Sequence, residues 1–223
     1  MSDQLQIRRD TLANVQAATP AQGELAMATD SDELYLGDGA SAGGIRLGPS
    51  FPFPGYISGR YYVAGLTTNT TLTVTANQLY TMPFFCFRKQ SFTKIGLQVS
   101  SFIASSNCRL GLYAPLVSNV AAPGALVLDS GAVSTAANGA IEATVGVTLN
   151  PGLYFAAALF SAAVGVIEAN SSNNLIPWLL GESLNNGLDA FSFAAQAYGA
   201  LPNPADTVSF SQTNAFPGVW LRL

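Results

Sequence analysis

The sequence predicts a mainly β protein, in which a small N-terminal α+β module precedes an antiparallel, jelly-roll-like β-sandwich. The first observation is composition: 49% of the 223 residues are hydrophobic and only 10% are charged, which excludes a disordered chain and allows a large core. The second is a series of strand-length apolar runs between Gly, Pro and Asn turns, with almost no helical period. The third is an uneven distribution of charge, which indicates two regions.

Charge and Gly/Pro content place the domain boundaries. Ten of the 22 charged residues lie in residues 1–46, and a Gly/Pro-rich stretch follows them. Proline fixes the backbone and removes a hydrogen-bond donor, so this composition is typical of a stiff linker. We therefore predict a small module over residues 1–47, a linker over 48–58 and a β-sandwich over 59–223.

The first region contains few large apolar residues but recognisable short elements. Residues 5–7 predict a strand, and Asp10 with Thr11 can cap a helix over 11–18 that ends before Pro20. Because so few large apolar residues form only a small core, we predict that the module needs a partner surface, most simply other copies of itself. The remaining elements are a hairpin with strands at 25–29 and 34–36, its turn at 30–33, and a glycine turn at 37–39.

The second region consists of strand after strand. The Asn138-Gly139 pair is a strong hairpin signal and predicts that the segments on either side of it pair. Residues 160–204 are less regular and predict long loops. The predicted strands lie at 72–75, 95–99, 109–113, 133–135, 140–145, 153–159 and 219–223.

Several function classes are excluded or disfavoured by composition. Histidine is absent, which removes the Ser-His-Asp and Cys-His systems and imidazole zinc sites. An isoelectric point near 4.6 disfavours nucleic acid as a partner. The most apolar run, residues 152–167, is shorter than the roughly 20 residues that span a bilayer, so membrane insertion is not expected.

No pattern of chemistry-bearing residues indicates an enzyme, a cofactor or a metal. Asp30, Asp32 and Asp38 lack the spacing of a calcium loop and are more simply turn residues. No nucleophile-elbow, Walker A or dinucleotide motif is present. Five acids could supply a glycosidase carboxylate pair, although nothing in the sequence brings two of them together. These are Glu142, Glu168, Glu182, Asp189 and Asp206.

Cys86 and Cys108 form no CxxC motif. A disulfide between them is possible in principle, because the sequence does not give their separation. Two buried free thiols are favoured, since free cysteine is among the most buried residue types.

Aromatic residues offer candidate contacts to sugar rings. Tyr198, in an Ala-Tyr-Gly-Ala context, is the candidate for an exposed glycan contact. The alternative for all of these aromatics is ordinary core packing. The other members of the set are Tyr56, Tyr61, Tyr62, Trp178, Phe191 and Phe193.

The N-terminal region resembles a module that recurs in fibre proteins of tailed bacteriophages. The similarity rests on LQIRRDTLANVQAATP at residues 5–20, QGELAMATD at 22–30 and LYLGDG at 34–39, against a pattern IQIRRDT…NP…GE…ETDT…KIGDG. Two features depart from that pattern: Val15 stands where an aromatic is common, and the usual tryptophan after the GDG turn is missing.

This resemblance implies a virion structural protein, usually a homotrimer, whose N-terminal module attaches to the particle or joins the chains. Arg8, Arg9 and Asp10 would then pair between chains, although a bridge within one chain is equally open. The glycines are interpreted as turn residues that supply a positive φ. The attachment and trimerisation residues that it implies are Ile7, Arg8, Arg9, Asp10, Gly23, Glu24, Gly37, Asp38 and Gly39.

A second resemblance lies in the predicted sandwich. Residues 109–113, 123–131 and 149–157 are similar to β-sandwich domains at the ends of phage appendage proteins. The combined expectation is a trimeric appendage on the virion surface, assembled in the host cytoplasm, that presents its sandwich outward to host-surface glycan. The other virion proteins, in the head or the tail, would be partners of the N-terminal module.

Two alternatives to the appendage remain open. The chain is short for a tail fibre and has no repetitive shaft, which favours a capsid-decorating protein that stabilises the head lattice. A polysaccharide depolymerase is the remote alternative and would need a carboxylate pair at glycosidase spacing.

Overall fold

The structure is a computed structural model and describes residues 7–47, 55–63, 66–170, 192–205, 209–212 and 215–223. The protein is mainly β, with 57% strand and 4% helix, which confirms the predicted fold class. The chain divides into two compact units. The first comprises Met1–Gly55 and Phe87–Gln90, and the second comprises Tyr56–Cys86 and Ser91–Leu223. The boundaries at 1–47, 48–58 and 59–223 remain predictions.

The first unit contains one four-stranded sheet and one helix. The strand order is β1-β2-β3-β4; the first pair is parallel and the other two pairs are antiparallel. The predicted hairpin is confirmed as β2 and β3, whereas residues 5–6 of the predicted first strand lie outside the described residues. The elements are β1 (Arg8–Asp10), α1 (Leu12–Ala17), β2 (Leu25–Ala28), β3 (Glu33–Leu36) and β4 (Ile45–Leu47).

Helix α1 begins and ends close to the predicted limits. Thr11 is the N-cap, with extended backbone angles, and its hydroxyl accepts a hydrogen bond from the Asn14 N–H. Val15 is buried on the side of the helix that faces the sheet, where it packs with Ala26, Ala28 and Tyr35. This cluster is small, as the composition of the region predicts.

The second unit is built from two sheets. One sheet has six strands in the spatial order β10-β9-β12-β7-β14-β15. The other has seven strands. Five of them are neighbours in the spatial order β16-β13-β8-β17-β5, and in addition β11 pairs with β8 and β6 pairs with β13. The strands are β5 (Tyr61–Val63), β6 (Leu66–Thr73), β7 (Gln78–Cys86), β8 (Gln90–Ser101), β9 (Asn107–Leu116), β10 (Asn119–Ser134), β11 (Gly139–Leu149), β12 (Gly152–Phe160), β13 (Gly165–Asn170), β14 (Ser192–Ala195), β15 (Ser211–Gln212), β16 (Ala215–Pro217) and β17 (Trp220–Arg222).

The core lies in the second unit and contains most of its large apolar residues. On β8, Ile95, Leu97 and Val99 are buried. Gln98, between the last two, is exposed, whereas Gly96 is buried as well. Strand β12 differs, because every residue from 155 to 160 is buried. It runs between β7 and β9 in the middle of its sheet.

Both cysteines belong to this core. Cys86 and Cys108 are buried free thiols, as the sequence favours. The Cys86 thiol hydrogen-bonds to the Leu149 carbonyl at 3.8 Å, and burial raises the pKa of the Cys108 thiol to about 12. Neither cysteine is part of a disulfide.

The hairpin predicted around Asn138-Gly139 is wrong. Strand β10 pairs with β9 in one sheet, whereas β11 pairs with β8 in the other. Gly139 has a φ of 115°, but Asn138 is not among the residues of positive φ, and a two-residue type I′ turn requires positive φ at both positions. The Asn138 side chain instead accepts a hydrogen bond from the Phe102 N–H at 2.9 Å.

The region predicted as loops between residues 160 and 204 contains two strands, β13 and β14. Residues 171–191 of that region lie outside the described residues.

Candidate attachment site on the N-terminal module

The Asp10 carboxylate is used within the chain, at the start of α1. Its Oδ1 accepts hydrogen bonds from the Thr11 N–H at 2.8 Å and from the Asn14 side-chain amide at 2.7 Å. The bond from Asn14, followed by that from Thr11, lowers the pKa of Asp10. The Asp10 carbonyl accepts from the Thr29 N–H at 2.8 Å, so this residue also ties β1 to the end of β2. The sequence left open whether Asp10 pairs between chains or within one chain, and the contacts described here lie within one chain.

The two arginines of the Arg8-Arg9-Asp10 sequence have different surroundings. Arg8 Nη1 lies 4.0 Å from Glu24 Oε1, with both side chains about 40% exposed, and a pair of this kind contributes little to stability. Glu24 also accepts from the Ala21 N–H at 2.9 Å. Arg9 is exposed and makes no ion pair with any residue of the described ranges. Inter-chain pairing therefore remains a prediction for Arg9 in particular. Ile7, just before β1, is half-buried.

The glycines of the module have two different roles. Gly23 and Gly39 have φ values of 83° and 75°, as predicted for turn glycines. Gly37 does not have a positive φ, and its predicted role is corrected: a Cβ there would lie 2.0 Å from the Ala21 carbonyl oxygen. Its N–H donates to the Glu24 carbonyl at 2.8 Å. Gly37 is thus required by close packing of two backbone segments.

Asp38 holds the turn that follows. Its Oδ1 accepts hydrogen bonds from the backbone N–H groups of Ala40 at 2.9 Å and Ser41 at 2.8 Å. The bond from the Ser41 N–H has the largest effect and that from Ala40 the next largest, and together they lower the pKa of Asp38 to about 2. Asp38 is therefore a turn-forming acid, which is the interpretation favoured from the sequence.

A charged group that the sequence does not reveal is centred on Glu33. Its Oε1 accepts from Arg46 at 2.7 Å, and its Oε2 accepts from the Tyr35 hydroxyl at 2.8 Å and lies 3.5 Å from Arg88 Nη2. The Glu33 side chain is only 9% exposed. The pKa of Tyr35 is raised, mainly because the hydroxyl is desolvated and secondly because it is hydrogen-bonded to Glu33. The signal available in the sequence is the alternation of Glu33 and Tyr35, which puts both on one face of β3; the partner at position 88 has no local signal.

The opposite face of the same sheet is apolar and partly exposed. Strand register places side chains from β2, β3 and β4 in two rows on this face. Ile45 and Leu47 are 55% and 40% exposed. We call this surface the apolar face; its two rows are Leu25–Leu36–Ile45 and Met27–Leu34–Leu47.

Arg9 lies at the edge of the apolar face. It is the register partner of Met27, so it shares that face, whereas Arg8 and Asp10 are the partners of Ala26 and Ala28 on the helix side. This parity places the Asp10 carboxylate on the helix side, next to the start of α1, whereas Arg9 lies on the apolar face; both arginines are exposed.

Tyr198, the candidate glycan contact, is half-buried in the second unit. Its hydroxyl donates to the Cys108 carbonyl at 3.4 Å and its N–H donates to Asn77 Oδ1 at 2.9 Å. The Tyr198 ring packs against the core, so less of its surface is accessible for stacking on a sugar ring. Glycan contact at Tyr198 stays a prediction; the candidates Trp178 and Phe191 lie outside the described residues.

The acids considered for metal or catalysis do not converge within the described part of the chain. Asp30 accepts from the Leu12 N–H at 2.7 Å, and Asp32 pairs with Lys89 at 2.8 Å. Among the described residues, no group of three or more His, Cys, Asp and Glu residues could hold a metal ion. Glu182, Asp189 and Asp206 lie outside those residues.

The N-terminal unit is similar to a phage-associated domain. Residues 5–41 match the family model of the major tropism determinant N-terminal domain. The match covers most of the module, ends before β4 and includes none of the sandwich, and it supports the resemblance to phage appendage proteins at the level of this domain. No curated protein matches the chain. The described residues include no helix of the length and apolarity needed to cross a bilayer.

Proposed function

We propose that this chain is a homotrimeric virion protein that takes part in attachment of the phage to its host. The N-terminal module joins the three chains and holds them on the particle, and the β-sandwich is presented outward to host-surface glycan. Its work is binding and assembly, with no chemical step. The match of residues 5–41 to a phage tropism domain supports the phage context, and the apolar face supports assembly.

The apolar face is the observation that carries the proposed assembly. Full burial of an Ile or Leu side chain contributes about 1.5–3 kcal/mol. Ile45 and Leu47 retain 55% and 40% of their exposure, so covering both would contribute roughly 2 kcal/mol per chain. Monomeric proteins rarely leave contiguous apolar surface of this kind open. A second and third copy of the same face is the simplest occupant, because a three-fold axis brings the same face of all three chains together around it.

Light scattering coupled to size exclusion tests the assembly. We expect a mass three times the 23.2 kDa of the chain at micromolar concentration. The double variant Ile45→Lys with Leu47→Lys should be monomeric, because its assembly would bury two charges. Val127→Lys is the matched control, since Val127 is a strand residue of the second unit that is also 40% exposed. A monomeric wild-type chain, or an unchanged mass for the double variant, would contradict the proposed assembly.

Immunogold labelling of intact virions tests the location. An antibody against the second unit should label the tail tip if the chain is a host-attachment appendage. Label spread over the head would contradict host attachment and would instead identify a capsid-decorating protein. An absence of label on intact virions would contradict both.

A further inference from the structure

The outward face of the seven-stranded sheet carries a group of polar and aromatic residues that the functions above do not use. Register places Tyr61, Arg222 and Lys94 side by side across β5, β17 and β8. The next row on this face contains Trp220 and Gly96. The residues between the rows, such as Ile95 and Leu221, are fully buried, so both rows face away from the core.

A pocket of about 280 Å³ lies on this face. Gly96 lets the backbone of β11 approach, because a Cβ at this position would lie 2.5 Å from the Ile141 carbonyl oxygen. Residues 140–142 can therefore form one wall. The volume is close to the lower end of the usual range for ligand pockets, about 300–1,000 Å³, which suits a single ring. The lining residues are Tyr61, Gly96, Leu97, Gln98, Ala140, Ile141, Glu142 and Trp220.

The pocket combines aromatic rings with hydrogen-bonding groups at its rim. Tyr61 is 44% exposed and Trp220 is partly exposed, so ring surface is available to a ligand. The exposed Gln98 amide and the Glu142 carboxylate lie beside them. Flat apolar surface bordered by polar groups matches a pyranose ring, which has one C–H face and an equatorial belt of hydroxyls.

The charges around the pocket favour an anionic ligand. Glu142 pairs with Lys94, and its other oxygen lies 3.8 Å from Arg222 Nη1. Two cations thus surround one carboxylate, in a chain whose net charge is −4. The Arg222 guanidinium lies 5.4 Å from the centre of the Tyr61 ring. Neither cation is among the lining residues, and the Arg222 Nε is itself buried, so the two cations act on a ligand through their field from beside the pocket.

We propose that this pocket binds one acidic pyranose unit, a uronate or sialate, of a host-surface polysaccharide. The sugar ring packs on Tyr61 and Trp220, and its carboxylate is held by the field of the Lys94 and Arg222 cations beside the pocket. The host-surface origin of the sugar rests on the proposed function, whereas the acidic-sugar site rests only on the pocket.

Saturation-transfer NMR on the full chain tests the site. The probes are trisaccharides of galacturonate, glucuronate and mannuronate and a sialylated trisaccharide, each compared with its neutral methyl ester. We expect one or more acids to bind, and the matching ester to bind at least about tenfold more weakly. Tyr61→Ala should weaken binding by a similar factor, while Tyr61→Phe, which keeps the ring, should restore it. Arg222→Gln should lower the affinity for the acid but not for the ester.

Two comparison variants separate this site from others. Phe102 is 50% exposed in the connection after β8, and Phe102→Ala should leave binding unchanged. Tyr198→Ala tests the sequence-predicted contact, which lies in the connection after β14, a strand of the six-stranded sheet. The inference is overturned if no acid binds at up to about 10 mM, if Tyr61→Ala binds like the wild type, or if Tyr198→Ala alone abolishes binding.

Failure of this site and failure of the proposed function can be told apart. If the acids bind as expected but the chain does not adhere to host cells, the site stands and the proposed function fails. If the chain adheres to host cells and Tyr61→Ala adheres equally well, the proposed function stands and the site fails.

Discussion

The contact between Arg109 and Asp129 joins β9, β10 and the segment at Leu201, and removal of its charge is expected to destabilise the sandwich. Asp129 accepts from Arg109 Nε at 3.1 Å and Nη2 at 2.9 Å, from the Gly131 N–H at 2.9 Å and from the Leu201 N–H at 3.2 Å. The Arg109 and Asp129 side chains are 22% and 18% exposed. Through Leu201 this carboxylate also holds the segment that contains Tyr198.

The substitution Asp129→Asn keeps the shape and removes the charge. The amide nitrogen would replace Oδ2, which faces two donors, Arg109 Nη2 and the Leu201 N–H. One charged hydrogen bond contributes about 1.5–3 kcal/mol and one neutral bond about 0.5–1.5 kcal/mol. Since the pair is partly solvated, we take the lower part of the sum and expect a loss of about 2–3 kcal/mol.

Urea unfolding followed by tryptophan fluorescence measures this loss. Both tryptophans, Trp178 and Trp220, belong to the second unit, so the signal reports on the sandwich. The control is Asp32→Asn, which removes a charge from the first unit. The Asp32 side chain is 50% exposed and its φ is 56°, a conformation that asparagine tolerates. We expect no shift for this control.

The pH dependence tests whether charge is the cause. Burial alone would raise the pKa of Asp129, but hydrogen bonds from Arg109, Gly131 and Leu201 outweigh it and lower the pKa. Asp129 therefore adds stability above its unfolded pKa of about 3.9, and this contribution is lost as the pH falls through the folded value. The difference between wild type and Asp129→Asn should shrink below about pH 4. A difference below about 0.5 kcal/mol at neutral pH, or one that does not change with acid, would refute the reasoning.

Three further predictions concern the first unit and the thiols. Gly37→Ala should destabilise the module by about 2–3 kcal/mol, seen as faster hydrogen exchange, because its Cβ would overlap the Ala21 carbonyl oxygen; unchanged exchange would contradict this role. Neither Cys86 nor Cys108 should react with a thiol reagent in the native protein, while both react in denaturant, because both are buried. Thr11→Ala should cost only about 0.5 kcal/mol by helix amide exchange, because its cap bond is 3.4 Å long.

Local patterns predict the first unit well. The two apolar runs at 25–29 and 34–36 around the polar turn 30–33 predict the hairpin, and the Asp10-Thr11 pair predicts the start of the helix. These signals depend on residues a few positions apart, so no knowledge of the whole fold is needed. The same local reasoning wrongly predicted a positive φ at Gly37. A side chain is excluded there by the carbonyl oxygen of Ala21, which lies 16 positions earlier in the sequence.

Non-local pairing could not be predicted in the same way. The Asn138-Gly139 pair is a local hairpin signal, but β10 and β11 pair with β9 and β8 in different sheets, and Asn138 bonds to the Phe102 N–H, 36 positions away. The pocket is similarly invisible in the sequence, because it depends on the register between β5, β8 and β17. The sequence favoured Tyr198 and included Tyr61 only in the wider set of aromatic candidates, because the tryptophan and arginine beside Tyr61 are brought there by strand pairing.

The distribution of cations in the second unit separates the two candidate sugar contacts. This unit contains four cations, and Arg109, close to Tyr198, is neutralised by Asp129. Lys94 and Arg222 share the single carboxylate of Glu142, and Arg60 directly precedes Tyr61. An excess of positive charge therefore exists at the pocket and not at Tyr198. Binding of an acidic sugar at the pocket should consequently weaken as salt rises, because these exposed charges are screened over about 8–10 Å at 0.1–0.15 M ionic strength. Binding at Tyr198 would lack that dependence.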